Sequence, residues 1–182
     1  GGNVTLDNGT TALIIAQSSV GGDLTLTSGH ASGITDSGTV TVGGNLAATT
    51  DANSGLINLG TLAVDGTIAL TTNGNGAATV VNDAGLNFAA STVRGNLIAT
   101  ATTGSMTDSG ALTISGTSSF TTSANNATIA LDRTTNAFTG AVTITTNDDS
   151  GTDADVTLAG GTTAPILAAS TIDGDLTVTS GN

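Results

Sequence analysis

A chain of 182 residues with 14 acidic side chains, two basic ones, no cysteine and only 2% aromatics is built almost wholly from small residues. All the acids are Asp and both bases are Arg (Arg94 and Arg133), so Glu and Lys, which helices place on their wet faces, are missing. The net charge of −12 excludes nucleic acid, whose phosphates need basic partners, and an anionic membrane surface; the missing cysteines exclude disulfides and thiolate chemistry.

Along the chain, apolar residues alternate with small or hydroxylated ones. The pattern runs Val4-Thr5-Leu6, Leu24-Thr25-Leu26, Val40-Thr41-Val42, Ile68-Ala69-Leu70, Leu112-Thr113-Ile114, Val142-Thr143-Ile144 and Leu176-Thr177-Val178. A period of two marks a strand with one buried and one wet face, and β-branched Thr favours extended backbone while tolerating water. Gly, Asn, Asp and Ser fill the gaps and supply turns. No segment has the apolar spacing of an amphipathic helix. The longest strongly apolar stretch, 12–16 (ALIIA), is far too short to span a bilayer. A mean hydropathy of +0.25 is that of a chain that folds. The reading is all-β.

Three blocks then recur in one order. QSSVGGDLTLTS (17–28) returns as ASTVRGNLIATA (90–101) and ASTIDGDLTVTS (169–180), with Val20, Val93 and Ile172 marking steps of 73 and 79 residues. ITDSGTVTVGG (34–44) returns as MTDSGALTISG (106–116) after 72, and DGTIALTTN (65–73) as TGAVTITTN (139–147) after 74. The second copy is therefore five residues longer beyond Asn147, and the surplus belongs in 148–155 or 160–165, as surface loop. Short strands, frequent turns and a tandem super-repeat of roughly 75 residues predict a right-handed parallel β-helix. Coils of roughly 20–30 residues give about three per super-repeat and about seven in all, a stack about 35 Å tall. The chain opens at Gly1-Gly2 inside the pattern, without an initiator Met. It reads as a single β-helical segment over 1–182, a fragment of a longer repetitive chain. Its copies lie at about 3–77 and 78–153, with a partial third at 154–182.

The blocks TDSGTVTVGG, GDLTLTSG, ASTVRGNL and GAVTITT resemble the repeats of filamentous haemagglutinin-like exoproteins, the large two-partner secretion adhesins of Gram-negative bacteria. The resemblance implies a β-helical shaft, exported through an outer-membrane transporter and displayed at the cell surface. It carries neither the Asn-Pro-Asn signature of that family's secretion domain nor an Arg-Gly-Asp; Arg94-Gly95-Asn96 stands nearest to the latter. No secretion or receptor-binding residue is carried over.

Candidate chemistry is sparse. His30, the only histidine, follows Gly29 in a turn and has no second His or orienting partner in the sequence; with no Gly-x-Ser-x-Gly elbow either, no triad is expected. Asp148, Asp149, Asp153 and Asp155 are the calcium candidates, although they fit neither the EF-hand spacing nor the calcium-binding nonapeptide. Asp36 and Asp108 recur inside Thr-Asp-Ser-Gly, and recurrence assigns them to structure rather than to a carboxylate pair. Phe88, Phe120 and Phe138 read as filler, and Thr25/Thr27, Thr39/Thr41, Thr143/Thr145 and Thr177/Thr179 as wet strand faces. The expectation is a non-enzymatic shaft with no cofactor, extended end to end by further repeats and meeting a host or neighbouring-cell surface. The alternatives are a carbohydrate- or surface-binding module and an ice-binding solenoid.

Overall fold

The computed structural model of the chain describes residues 1–147 and 151–181. After β1 (Val4–Asp7) come β2 (Leu13–Ile15), β3 (Ser18–Val20), β4 (Leu24–Ser28), β5 (Ile34–Asp36), β6 (Val40–Val42), β7 (Leu46–Asn53), β8 (Ile57–Val64), β9 (Thr67–Asn73) and β10 (Ala78–Asn82). A second series follows the same plan: β11 (Leu86–Phe88), β12 (Ser91–Val93), β13 (Leu97–Ala101), β14 (Met106–Asp108), β15 (Leu112–Ile114), β16 (Ser118–Asn125), β17 (Ile129–Leu131), β18 (Ala137–Phe138), β19 (Ala141–Asn147) and β20 (Val156–Ala159). β21 (Ile166–Leu167) and β22 (Leu176–Thr179) begin a third. Among the described residues there is no helix.

The strands pair parallel in two sheets, and the chain passes from one to the other at every turn. Sheet 1 runs β1-β4-β7-β9-β11-β14-β17-β20-β22, with β12, β15 and β18 alongside; sheet 2 runs β2-β5-β8-β10-β13-β16-β19-β21, with β3 and β6 alongside. Register fixes the coil: Val4 pairs with Leu24, Leu24 with Leu46 and Leu46 with Ile68, steps of 20 to 22 residues. The nine strands of the sheet 1 path make eight turns rather than about seven, because the coils lie near the lower end of the expected length.

The expected three coils per super-repeat are found, with a half-coil more. Each unit crosses between the sheets seven times. Three crossings are bent strands in two pieces or with a bulge (β2/β3, β5/β6 and β8 in the first unit). Four are single strands (β4, β7, β9 and β10), of which β7 shifts register against β9 after Thr49. Seven is odd, so each copy of a block lands on the opposite sheet from the last. β4 is in sheet 1, its repeat β13 in sheet 2, and its third copy β22 in sheet 1 again. β5/β6 against β14/β15, and β9 against β19, change sheets in the same way. The surplus falls where expected. Four residues (74–77) join β9 to β10 but eight (148–155) join β19 to β20, and one more lies between β20 and Ser170.

Inward residues stack into ladders. Leu24, Leu46 and Ile68 form one in sheet 1, and Ile34, Ile57, Ala78 and Leu97 form another in sheet 2; all are essentially water-free. In the second unit Phe88, Phe120 and Phe138 interlock across the interior edge to face, at centroid distances of 6.4 and 5.8 Å. Burying each ring contributes about 1.5–3 kcal/mol. The last inward position of several single strands is Thr, not a hydrocarbon. Thr50 Oγ1 donates to the Gly55 carbonyl at 3.0 Å, Thr72 Oγ1 to Gly76 at 2.7 Å and Thr122 Oγ1 to Ala127 at 2.9 Å, each satisfying a carbonyl of the next corner.

Candidate functional site

The sequence-nominated residues are dispersed by the fold, and most are bound into coil-to-coil contacts. His30 sits in the turn after β4, where its Nδ1 accepts the Ser32 N–H at 3.0 Å and its carbonyl the Gly33 N–H at 2.8 Å. The imidazole closes its own turn.

Of the calcium candidates, Asp148 and Asp149 lie outside the described residues. Asp153 and Asp155 are exposed, and Asp155 Oδ1 accepts the N–H of Asp175, one coil on, at 2.9 Å. Among the described residues no three acidic or histidine side chains converge as a metal would require. Asp155 instead follows a rule of the corners. Asn3 Oδ1 accepts the Asp23 N–H at 2.9 Å, Asp23 Oδ1 the Asn45 N–H at 2.8 Å, Asn45 Oδ1 the Thr67 N–H at 2.9 Å, and Asn96 Oδ1 the Thr117 N–H at 2.9 Å. An Asp or Asn just ahead of the first strand residue thus supplies a short acceptor to an amide that the strand ladder has not yet reached.

The Thr-Asp-Ser-Gly carboxylates are clamps of a second kind. Asp36 accepts the Gly60 N–H at 3.0 Å, the Thr61 N–H at 2.7 Å and the Thr61 hydroxyl at 2.9 Å, holding down the bulge of β8. Asp108, 8% exposed, accepts Asn136 Nδ2–H at 2.6 Å and the Asp132 N–H at 3.3 Å. Burial raises its pKa above the ordinary carboxylate value, against the opposing pull of Asn136 and the backbone around Arg133 and Asp132. The two clamps stand on opposite sheets, so they share no groove.

Charge is sorted by edge. Among the described residues, Asp23, Asp65, Asp83, Asp153, Asp155, Asp173 and Asp175 all stand in the turns from sheet 2 to sheet 1. The turns from sheet 1 to sheet 2 hold no Asp and carry His30 and Arg94. The outward faces between these edges bear Thr in register, with Asp7 paired to Thr27 at the start of the first ladder. Thr27, Thr49, Thr71, Thr92 and Thr113 follow one another on five successive coils of sheet 1. Thr100, Thr121, Thr145 and Thr171 do so on sheet 2. An open trough beside the first ladder is lined by Thr49, Thr71, Thr92, Asp51, Asn73 and Arg94. The ladders escaped a reading by sequence spacing alone, because the Thr-x-Thr pairs align only once the coil register, 21 to 22 residues per step here, is known.

A family described as repeats of unknown function (DUF5649) matches residues 1–60 and 75–145, two segments that begin one super-repeat apart. No curated protein and no solved structure matches the chain.

Proposed function

The chain belongs to the DUF5649 repeat family, and from that premise we propose that it is the stiff shaft of a secreted filament or adhesin on a Gram-negative cell surface, giving length for adhesion or for an extracellular matrix. The observation that carries this reading is parallel pairing continued through all eight turns, with a like corner contact recurring at Asp23–Asn45, Asn96–Thr117 and Asp155–Asp175. A column of axial backbone hydrogen bonds around an apolar interior is rigid along its whole length. The likeness of its blocks to filamentous haemagglutinin-like exoproteins supports export through an outer-membrane transporter and display outside the cell. Further units added by the same strand-on-strand pairing lengthen the shaft, and its far end meets a host or neighbouring-cell surface. No reaction and no cofactor is assigned to it.

Two measurements test this. Fibre diffraction or electron microscopy of the native assembly should give an axial spacing of about 4.8 Å; a compact particle without it overturns the shaft. Protease treatment of intact cells should remove the protein; full protection overturns the surface placement.

The threonine ladders favour a second reading, a face that binds a carbohydrate or ice. Thermal hysteresis or glycan binding that is lost in a Thr49→Val/Thr71→Val/Thr92→Val variant would establish it.

A further inference from the structure

The chain contains three Asn-Gly pairs, Asn8-Gly9, Asn73-Gly74 and Asn75-Gly76. Such a pair can react with itself. The glycine nitrogen attacks the asparagine side-chain carbonyl carbon and the amide nitrogen leaves as ammonia. Water then opens the five-membered imide to aspartate or, through the other carbonyl, to isoaspartate. Glycine permits this because no Cβ crowds the ring and its backbone turns freely. In a folded chain the deciding fact is where the glycine N–H points.

In two of the three the glycine N–H is turned to another acceptor. The Gly9 N–H donates to Asp7 Oδ1 at 2.9 Å while the Asn8 amide is drawn away to the Ala12 carbonyl at 2.8 Å. Gly76 is buried and its N–H donates to the Asn73 carbonyl at 2.9 Å, so its nitrogen is committed to another acceptor.

Asn73-Gly74 differs in where its glycine N–H points. Both residues are exposed, as Asn8 and Gly9 are, and Gly74 adopts φ of 60° at the opening of the corner. The Gly74 N–H donates to its neighbour's own Oδ1 at 2.8 Å, so the nitrogen already lies against the carbonyl group that it would attack. The leaving amide, Asn73 Nδ2, donates to the Asp51 carbonyl at 3.2 Å, on the far side from the nucleophile. We infer that Asn73-Gly74 is a self-modifying bond, converted in the folded protein to aspartate and isoaspartate ahead of the other two pairs. One water is consumed, one ammonia is released and one carboxylate is gained, with no redox partner.

The place gives the change a consequence. The Asn73 carbonyl accepts both the Ser54 N–H at 3.0 Å and the Gly76 N–H at 2.9 Å, tying one coil to the one before. In isoaspartate the main chain runs through the side-chain carbonyl, one methylene longer, and the former Asn73 carbonyl becomes the free carboxylate, which loosens the corner between β9 and β10. The corresponding pair in the second unit is Asn147-Asp148, without glycine, so the ageing is confined to one unit.

The test incubates the 182-residue chain at mildly alkaline pH, folded and in urea, and follows each Asn by peptide mapping with an isoaspartate-specific label. Asn73 should be lost several-fold faster than Asn8 and Asn75 in the folded chain, and the three rates should converge in urea. Three equal rates in the folded chain, or an Asn73 slower folded than unfolded, would overturn the assignment. Cleavage by a nonspecific protease within 73–77 should rise with the modified fraction and stay low in Asn73→Gln. A cleavage rate indifferent to the modification would overturn the loosening.

Discussion

The two full repeat units solve one packing problem with different volumes. In the first, Leu26 stacks beneath Ala48; in the second the equivalent rungs are Ala99 beneath Phe120, large over small instead of small over large. By sequence equivalence Phe88 and Phe138 likewise stand where the first unit has Ile15 and Val64. The width of the solenoid is thus held by paired substitutions between adjacent coils, and no single rung dictates its own residue. Polar clamps differ in the same spirit. Asp36 closes on a bulge of two residues, Gly60 and Thr61, whereas Asp108 closes on the longer 132–136 loop and borrows Asn136 as its chief donor.

The sharpest way to break this comparison is at the aromatic rung. Phe120→Ala leaves a cavity over Ala99 and should cost about 3–5 kcal/mol by chemical denaturation; a loss below about 1 kcal/mol would mean the rings do not set the packing. Ala48→Phe in the first unit should cost about 1–3 kcal/mol through overpacking, and adding Leu26→Ala should return much of it, because the pair then copies the second unit. A double variant no more stable than Ala48→Phe would refute the compensation.

Next in size are the clamps. Asp36→Ala strands three donors and should lose about 1–3 kcal/mol, more than Asp108→Asn, which keeps an acceptor and removes a buried charge. The pH dependence at Asp108 runs against acid denaturation. Its pKa is raised in the folded state, so the folded protein binds the proton more readily than the unfolded chain. This contribution is complete at low pH and is lost as pH rises through the raised value. As pH falls from neutrality toward the carboxylate range, the melting temperature of the wild type should therefore gain on that of Asp108→Asn. Parallel curves would show that the burial of Asp108 has no energetic weight. Smallest is Thr71→Val on the outward ladder, which should shift stability by no more than about 0.5 kcal/mol. A larger loss would assign the ladder to the fold and weaken the case for a binding face.

Much of the architecture is legible in the residues. The alternation at Leu24-Thr25-Leu26 and its kin marks strands, and the ordered blocks give a super-repeat, because both are local or periodic properties of the chain. The change of sheet from unit to unit is not legible, since it depends on whether the crossings per unit are odd, and two single strands in succession, β9 then β10, look like any other pair of strands. Thr50, Thr72 and Thr122 are not singled out, yet each turns inward to a corner carbonyl; the recurring Thr-Thr before Asp, Asn or Ser was the available signal. Asp36 and Asp108 are marked as structural by repetition, but their partners lie a full coil away, where sequence spacing says nothing.

The odd number of crossings has a consequence for stoichiometry. A filament made of these units is related to itself by something close to a twofold screw, so its true period is two units and not one. A lectin, an antibody or a neighbouring filament that recognises the Leu-Thr block would meet successive copies on alternate flanks. Bound partners would zigzag along the shaft, each clear of the next, and a single filament would present two-sided valency enough to be woven into a mat.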